Sequence, residues 1–245
     1  MRILILVSAA LVLTACANHN TISYRSDPPL APGKPGLRVA DAAMEGGAPA
    51  VALSVTDGVL ATDPRNVAAL DRKGNALYEL NRPAEAAESY QRALTIAPGN
   101  VDALIGLGRI RLSTDPAAAE ALLRRAAARQ PRNAAAQNDL GIACDLQGRH
   151  KDAQLAYRRA LAASPSEVAP QVNLGLSLAL GGDAQRGVAM LQPLAAGNPT
   201  PRVRDDLAAA LAMAGDSDQA ERLLRPELSD EQVREAMMGF VALRQ

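Results

Sequence analysis

Tryptophan is absent from this chain, Phe240 is its sole phenylalanine, and aromatic residues make up only 2% of its 245 positions. Proteins that hold single-stranded nucleic acid stack bases on aromatic side chains, so that mode of binding is excluded, and a sugar-stacking groove is excluded with it. A basic excess is missing too. Lys plus Arg number 26 and Asp plus Glu number 26, a formal net charge of zero, whereas nucleic-acid binders carry a basic patch or stripe. Histidine occurs twice, as His19 and His150, with no Ser, Cys or Asp at a catalytic spacing. A metal site needs a local cluster of ligands, so neither metal, cofactor nor catalytic constellation is expected, and the chain is not read as an enzyme. His150 is read as a solvated residue of an inter-helix turn. Gly46-Gly47 is not followed by Gly-Lys-Ser/Thr, which removes a phosphate-cradling loop. Cysteine also occurs twice, at Cys16 and Cys144. With Cys16 committed as described below, no internal disulfide is expected, and Cys144 reads as a small buried hydrophobe. What is present is 48% apolar residues, mainly Ala and Leu. These are strong helix formers, so the chain is read as all-α.

The N-terminus reads as an address. Met1-Arg2 is a short positive segment, and Ile3 to Leu13 is mostly apolar. Eleven residues are too few to span a bilayer, which takes about 20, but they fit a secretory signal core. The segment ends in Leu13-Thr14-Ala15-Cys16, which resembles the bacterial lipobox, in which the Cys is lipidated and becomes the new N-terminus. Residues 1–15 are therefore expected to be a lipoprotein signal peptide, with Cys16 the lipidation site. The resemblance implies more than one acyl chain, enough for stable anchoring. Ala17 in the following position, in place of Asp, implies sorting to the outer membrane, facing the periplasm. Residues 16–35 carry Pro28, Pro29, Pro32 and Pro35 and read as a tether that reaches at most roughly 55 Å.

The rest of the chain keeps a beat. Pro64, Pro98, Pro131, Pro165 and Pro199 lie 34, 33, 34 and 34 residues apart. A period of that length signals stacked helix–turn–helix units. With Val67 as position 1, one unit places Gly74 at 8, Ala86 at 20, Tyr90 at 24, Ala93 at 27 and Pro98 at 32. The unit from Ala134 repeats this with Gly141, Ala153, Tyr157, Ala160 and Pro165. Between them, Gly108, Ala119, Leu123, Ala126 and Pro131 keep the frame with one residue missing near the inner turn. The next unit has Gly175, Leu191 and Pro199, but Gly187 and Leu194 replace the two alanines. Small residues at 8, 20 and 27 let paired helices approach, and larger ones at 4, 7, 11 and 24 fill the gaps. Gly at 8 costs about 1 kcal/mol relative to Ala in a helix, so close packing must offset it. Inner turns are marked by Asn81-Arg82-Pro83, Gly148, Gly181-Gly182 and Gly215-Asp216.

These positions resemble the tetratricopeptide repeat family. The resemblance implies a right-handed superhelical solenoid of about six repeats, near 33–66, 67–100, 101–133, 134–167, 168–200 and 201–228, spanning 36–228. Residues 229–245 open with Ser229-Asp230-Glu231-Gln232, a capping-box pattern, followed by Val233, Met237, Phe240, Val241 and Arg244 at helical spacing. They read as a helix that caps the last repeat or, alternatively, as a partner-binding helix.

In this family the concave face is lined by first-helix positions near 2, 5, 9 and 12. Here those positions include Asp71, Asn75 and Tyr78 on one stripe. The stripe continues with Asp102, Ile105, Arg109 and Leu112, then Asn138, Ile142 and Asp145, then Leu176 and Ala179, with Asn173 adjacent. Asn amides both donate and accept towards a peptide backbone, and Arg109 suits a carboxylate. The family's clamp for carboxylate tails needs basic residues at fixed slots, and Asp71 breaks that pattern. The whole architecture is similar to the TadD lipoproteins of the Tad (Flp-type) pilus system. That resemblance implies a periplasmic scaffold for pilus assembly that supports a secretin or other pilus components as protein partners, with no small-molecule substrate. A general envelope scaffold for outer-membrane protein or cell-wall enzyme assembly remains an alternative, as do an unrecognised enzyme and a small-molecule sensor.

Overall fold

A computed structural model of the chain describes residues 35–197 and 199–243. The signal segment, Cys16, His19, most of the tether and Arg244 lie outside the described residues. Thirteen helices and no strand occur among them, as an Ala/Leu-rich, aromatic-poor composition predicts. They alternate as pairs: α1 (Pro35–Glu45) with α2 (Pro49–Thr62), α3 (Val67–Glu79) with α4 (Pro83–Ile96), and α5 (Val101–Arg111) with α6 (Pro116–Arg129). Then come α7 (Ala134–Asp145) with α8 (His150–Ala163), α9 (Val168–Leu180) with α10 (Ala184–Leu194), and α11 (Pro201–Ala214) with α12 (Ser217–Leu224). A last helix, α13, covers Asp230–Ala242. The chain divides into two compact bodies, one ending at Pro131 and the other beginning at Arg132. Within the first body α3 packs on α1, α2, α4 and α5, and within the second α9 packs on α7, α8, α10 and α11. First helices of consecutive repeats thus touch each other as well as their own partners.

The proline beat has a local cause. Pro64, Pro98, Pro131 and Pro165 each sit in a short turn between one repeat and the next. After the first three, the residue two places on caps the following helix with its side chain, whereas Glu167 makes no such bond. Asn66, Asn100 and Asn133 accept through Oδ1 from the N–H groups of Ala69 (3.1 Å), Ala103 (2.7 Å) and Ala136 (2.9 Å). Such caps contribute about 1 kcal/mol each. The inner turns also repeat. Gly47, Asn81, Gly148, Gly182 and Gly215 have φ between 56° and 94°, and the N–H of the next residue closes back over the helix end. Arg82 donates to the Leu77 carbonyl at 2.9 Å, Arg149 to Cys144 at 3.0 Å, and Asp183 to Leu178 at 2.9 Å, the pattern that satisfies the last carbonyls of a helix. The repeat with one residue fewer omits this left-handed residue. There Asp115 caps α6 directly, accepting from the Ala118 N–H at 2.9 Å.

Position 8 faces position 24 in four repeats. A Cβ added to Gly74 would lie 2.4 Å from the Tyr90 ring, one on Gly141 2.4 Å from Tyr157, one on Gly108 2.8 Å from Leu123, and one on Gly175 2.6 Å from Leu191. Tyr90 meets a second glycine, Gly106 of the next repeat, where an added Cβ would lie 2.3 Å from the ring. Ala86, Ala93, Ala119, Ala126, Ala153 and Ala160 are fully buried. Gly187 differs from these alanines because the helices come closer there: a Cβ on it would sit 2.6 Å from the Gly175 carbonyl oxygen. At the C-terminal end, Val233, Met237 and Phe240 of α13 are buried in the core that includes Leu207, Leu211 and Leu224. Its capping box forms reciprocally, with Gln232 N–H donating to Ser229 Oγ (3.3 Å) and Ser229 N–H to Gln232 Oε1 (2.9 Å). α13 thus closes the last repeat, while Met238 stays exposed.

Candidate protein-docking face

The stripe of first-helix residues divides between the two bodies. In the N-terminal body, Asp71 of α3 is 4% exposed. Its Oδ2 accepts from Asn100 Nδ2 at 2.8 Å, so the residue that caps α5 also reaches back to the preceding repeat. Asp71 Oδ1 is buried without a hydrogen-bond partner. Burial pushes the Asp71 carboxyl up to about 7, helped by the charge of Asp102 and opposed by the Asn100 bond and by Arg72. Arg72 is itself committed to Asp41 of α1, through Nε at 2.6 Å and Nη2 at 2.9 Å. One turn along, Asn75 Oδ1 accepts from the Tyr90 hydroxyl at 2.6 Å. The position-24 tyrosine therefore fills the glycine gap and also fixes a stripe residue. Tyr78 and Arg109 are half-buried, Asp102 is exposed, and Ile105 and Leu112 are buried.

The C-terminal body carries a polar ladder. Asn173 of α9 donates through Nδ2 to Asn138 Oδ1 of α7 at 2.8 Å, and Arg202 of α11 donates to Asn173 Oδ1. Arg202 Nε lies 3.4 Å from Asp206 Oδ2, an ion pair without a hydrogen bond at either atom. Asn138, Asn173 and Asp206 are all at most 5% exposed. Burial raises the Asp206 carboxyl to about 6 against the opposing pull of Arg202. Asp145 is a second hub. Its Oδ1 accepts from Ser177 Oγ at 2.8 Å and lies 2.8 Å from His150 Nδ1, and its Oδ2 accepts from the Tyr157 hydroxyl at 2.9 Å. Burial, with Asp145 adjacent, drives the Tyr157 hydroxyl well above its ordinary value. Ile142 and Leu176 are half-buried and Ala179 is buried.

His150 is thus not a solvated turn residue, as the sequence suggests. It opens α8, and its ring lies against Asp145. Serine, histidine and aspartate meet in this hub, but the carboxylate stands between the other two. A nucleophilic relay needs the imidazole in the middle, so the cluster holds helices together and lacks the geometry of a triad. Cys144 is buried, with Arg149 Nη2 3.7 Å from its sulfur. Among the described residues no group of three or more His, Cys, Asp or Glu is placed to hold a metal, and no helix is long and apolar enough to cross a membrane. The ladder, the hub and the Asp71–Asn100 bond are the features that sequence reasoning missed. The Asn that recurs two places after Pro64, Pro98 and Pro131 was the one available signal for the last of these.

Residues 37–101 and 113–168 match the tetratricopeptide repeat family. No curated protein sequence matches the chain. Among solved structures, PilW, described as a widely conserved type IV pilus biogenesis factor, is similar at TM-score 0.67 and 23% identity, over 80% of this chain and 94% of that one. PilF of Pseudomonas aeruginosa is similar at TM-score 0.67 and 15% identity, over 82% of this chain and 94% of that one. MamA is similar at TM-score 0.53 and 23% identity, over 74% of this chain and 97% of that one. Identities this low speak to fold alone. The family match, the 34-residue beat and the glycine-facing packing agree: residues 37–101 and 113–168 match tetratricopeptide repeats, the chain has the fold of that family, and proteins of that family mediate protein–protein interactions.

Proposed function

We propose that this protein is a lipid-anchored docking factor that holds partner proteins during assembly of a Tad-type pilus at the outer membrane, with a secretin or another pilus component as partner. The observation that carries the reading is the union, in one chain, of a lipobox ending in Cys16 and a repeat array whose first helices present a polar stripe. The lipobox supplies an anchor in the envelope. The stripe supplies side chains that pair with a peptide backbone or a charged partner, among them Asn75, Asp102 and Arg109. The likeness in fold to PilW, a pilus biogenesis factor, supports the same setting. The test is a crosslinked pull-down of the native lipidated protein from detergent-solubilised envelopes, beside a Cys16→Ala variant. Recovery of a secretin or other pilus components, lost or reduced when Cys16 is replaced, is the expected result. Recovery of β-barrel assembly or cell-wall proteins instead would keep the scaffold and discard the pilus.

A further inference from the structure

We propose that the docking face of the N-terminal body contains a cation-accepting subsite, built on Asp71 with Asp102 in front of it, that takes a lysine or arginine side chain of the partner. The inference rests on the docking reading above and adds the chemistry of one contact.

Asp71 carries a carboxylate at a position that the following repeats fill with Ile105, Asn138 and Val172. One oxygen is satisfied by Asn100, and the other has no hydrogen-bond partner and no contact with water. A buried carboxylate left half-satisfied is costly, and more so when ionised. The nearest cation does not neutralise it. Arg72 spends its Nε and Nη2 on Asp41 and its Nη1 on the Ala68 carbonyl at 3.1 Å. The charged groups acting on Asp71 are therefore Arg72 from its own helix, already engaged, and Asp102 from α5, which carries the same sign as Asp71. An incoming ammonium or guanidinium relieves both problems, because it donates to the unsatisfied oxygen and separates two like charges.

The register supports an order of contacts. Asp102 is the second residue of α5, exposed, and two residues past Asn100. It is the carboxylate that a cation meets first. Asp71 lies behind it on α3, tied to the same N-cap residue. A seated cation would thus bridge two successive repeats at the turn that joins them. A neutral donor could reach the same oxygen but would leave the repulsion between the two carboxylates in place.

The subsite predicts a linkage to protons. Only the ionised carboxylate attracts the cation, and burial sets that ionisation near pH 7. The apparent affinity follows the ionised fraction, so the dissociation constant falls about tenfold between about pH 6 and about pH 8. The probe is a short Gly/Ser peptide with one central lysine, compared with the same peptide carrying acetyl-lysine, each titrated into the full chain and followed by backbone amide resonances. The lysine peptide is expected to shift Asn100, Asp102 and Ala103, to bind more tightly as pH rises, and to outbind the acetylated one. Asp71→Asn, which keeps the shape and an amide partner for Asn100, is expected to weaken binding and abolish the pH slope. Asp102→Asn, at an exposed position and checked for an unchanged melting temperature, is expected to weaken binding and leave the slope. Equal binding of both peptides, no shift at these amides, or a pH slope that survives in Asp71→Asn would overturn the subsite. None of these results touches the pull-down that tests the pilus reading, so the two can fail separately.

Discussion

The Cα of Gly74 lies so close to the ring of Tyr90 that an added methyl group would sit 2.4 Å from Cε1. The glycine gives up about 1 kcal/mol of helix propensity relative to Ala, and the ring that takes its space is buried on both sides. Gly74→Ala is therefore expected to destabilise despite the better helix former, by about 1–3 kcal/mol of overpacking less the propensity gained. Gly141→Ala should do the same against Tyr157. A thermal melt decides it: an unchanged midpoint in both variants would contradict the contact between the glycine and the ring.

Ala86 and Ala153 are fully buried at position 20. Ala86→Leu or Ala153→Leu forces side chain into the seam between paired helices and should cost about 1–3 kcal/mol. Chemical denaturation midpoints that do not move in either variant would contradict the packing described for that position.

Asn100 does two things at once, capping α5 and holding Asp71. Asn133 caps α7 in the same way. Asn133→Ala should cost about 1 kcal/mol as a lost cap. Asn100→Ala should cost more, because it also strips the remaining hydrogen bond from a buried carboxyl. Comparing the two by denaturant unfolding separates the cap from the inter-repeat bond.

Asp71 sets a pH dependence whose sign is fixed by its environment. Its folded pKa is raised, from 3.8 to about 7, so between those values the folded state holds more protons than the unfolded one. Stability then falls as pH rises through that window. Asp71→Asn removes the effect. It should be about as stable as the parent near pH 4 and more stable near pH 8, on the order of 1–3 kcal/mol by chemical denaturation. Asp206, raised to about 6 by burial, contributes a second slope of the same sign, so the variant's own profile should flatten without becoming level.

The repeats were legible in the sequence because their determinants are periodic. Pro98 and Pro165, Gly74 and Gly141, and Ala86 and Ala153 recur at a fixed interval, and each acts within one repeat or its neighbour. The proposed docking face was legible only in outline. Asn138 and Asn173 are 35 residues apart, and Asn173 and Arg202 are 29 apart. Each alone reads as a solvated side chain, and nothing in the spacing says that three successive first helices bring them into one buried ladder. His150 was misread for the same reason. Its neighbours in sequence are charged and polar, but its partner is Asp145 across the inner turn, and Asp145 is in turn held by Tyr157 and Ser177. Burial of polar groups depends on the stacking of repeats, which the period announces without giving side-chain partners.

The claim that partners dock on the first-helix stripe is tested most directly by site-specific photocrosslinking in living cells. A photoreactive residue is placed at Asn75 or Arg109 on the stripe, and at Arg124 or Leu155 on second helices, the last of these exposed. The account predicts discrete adducts with a secretin or another pilus component from the stripe positions and none from the second helices. Adducts formed from Arg124 or Leu155 while Asn75 and Arg109 stay silent would place the working surface on the second helices and contradict the account.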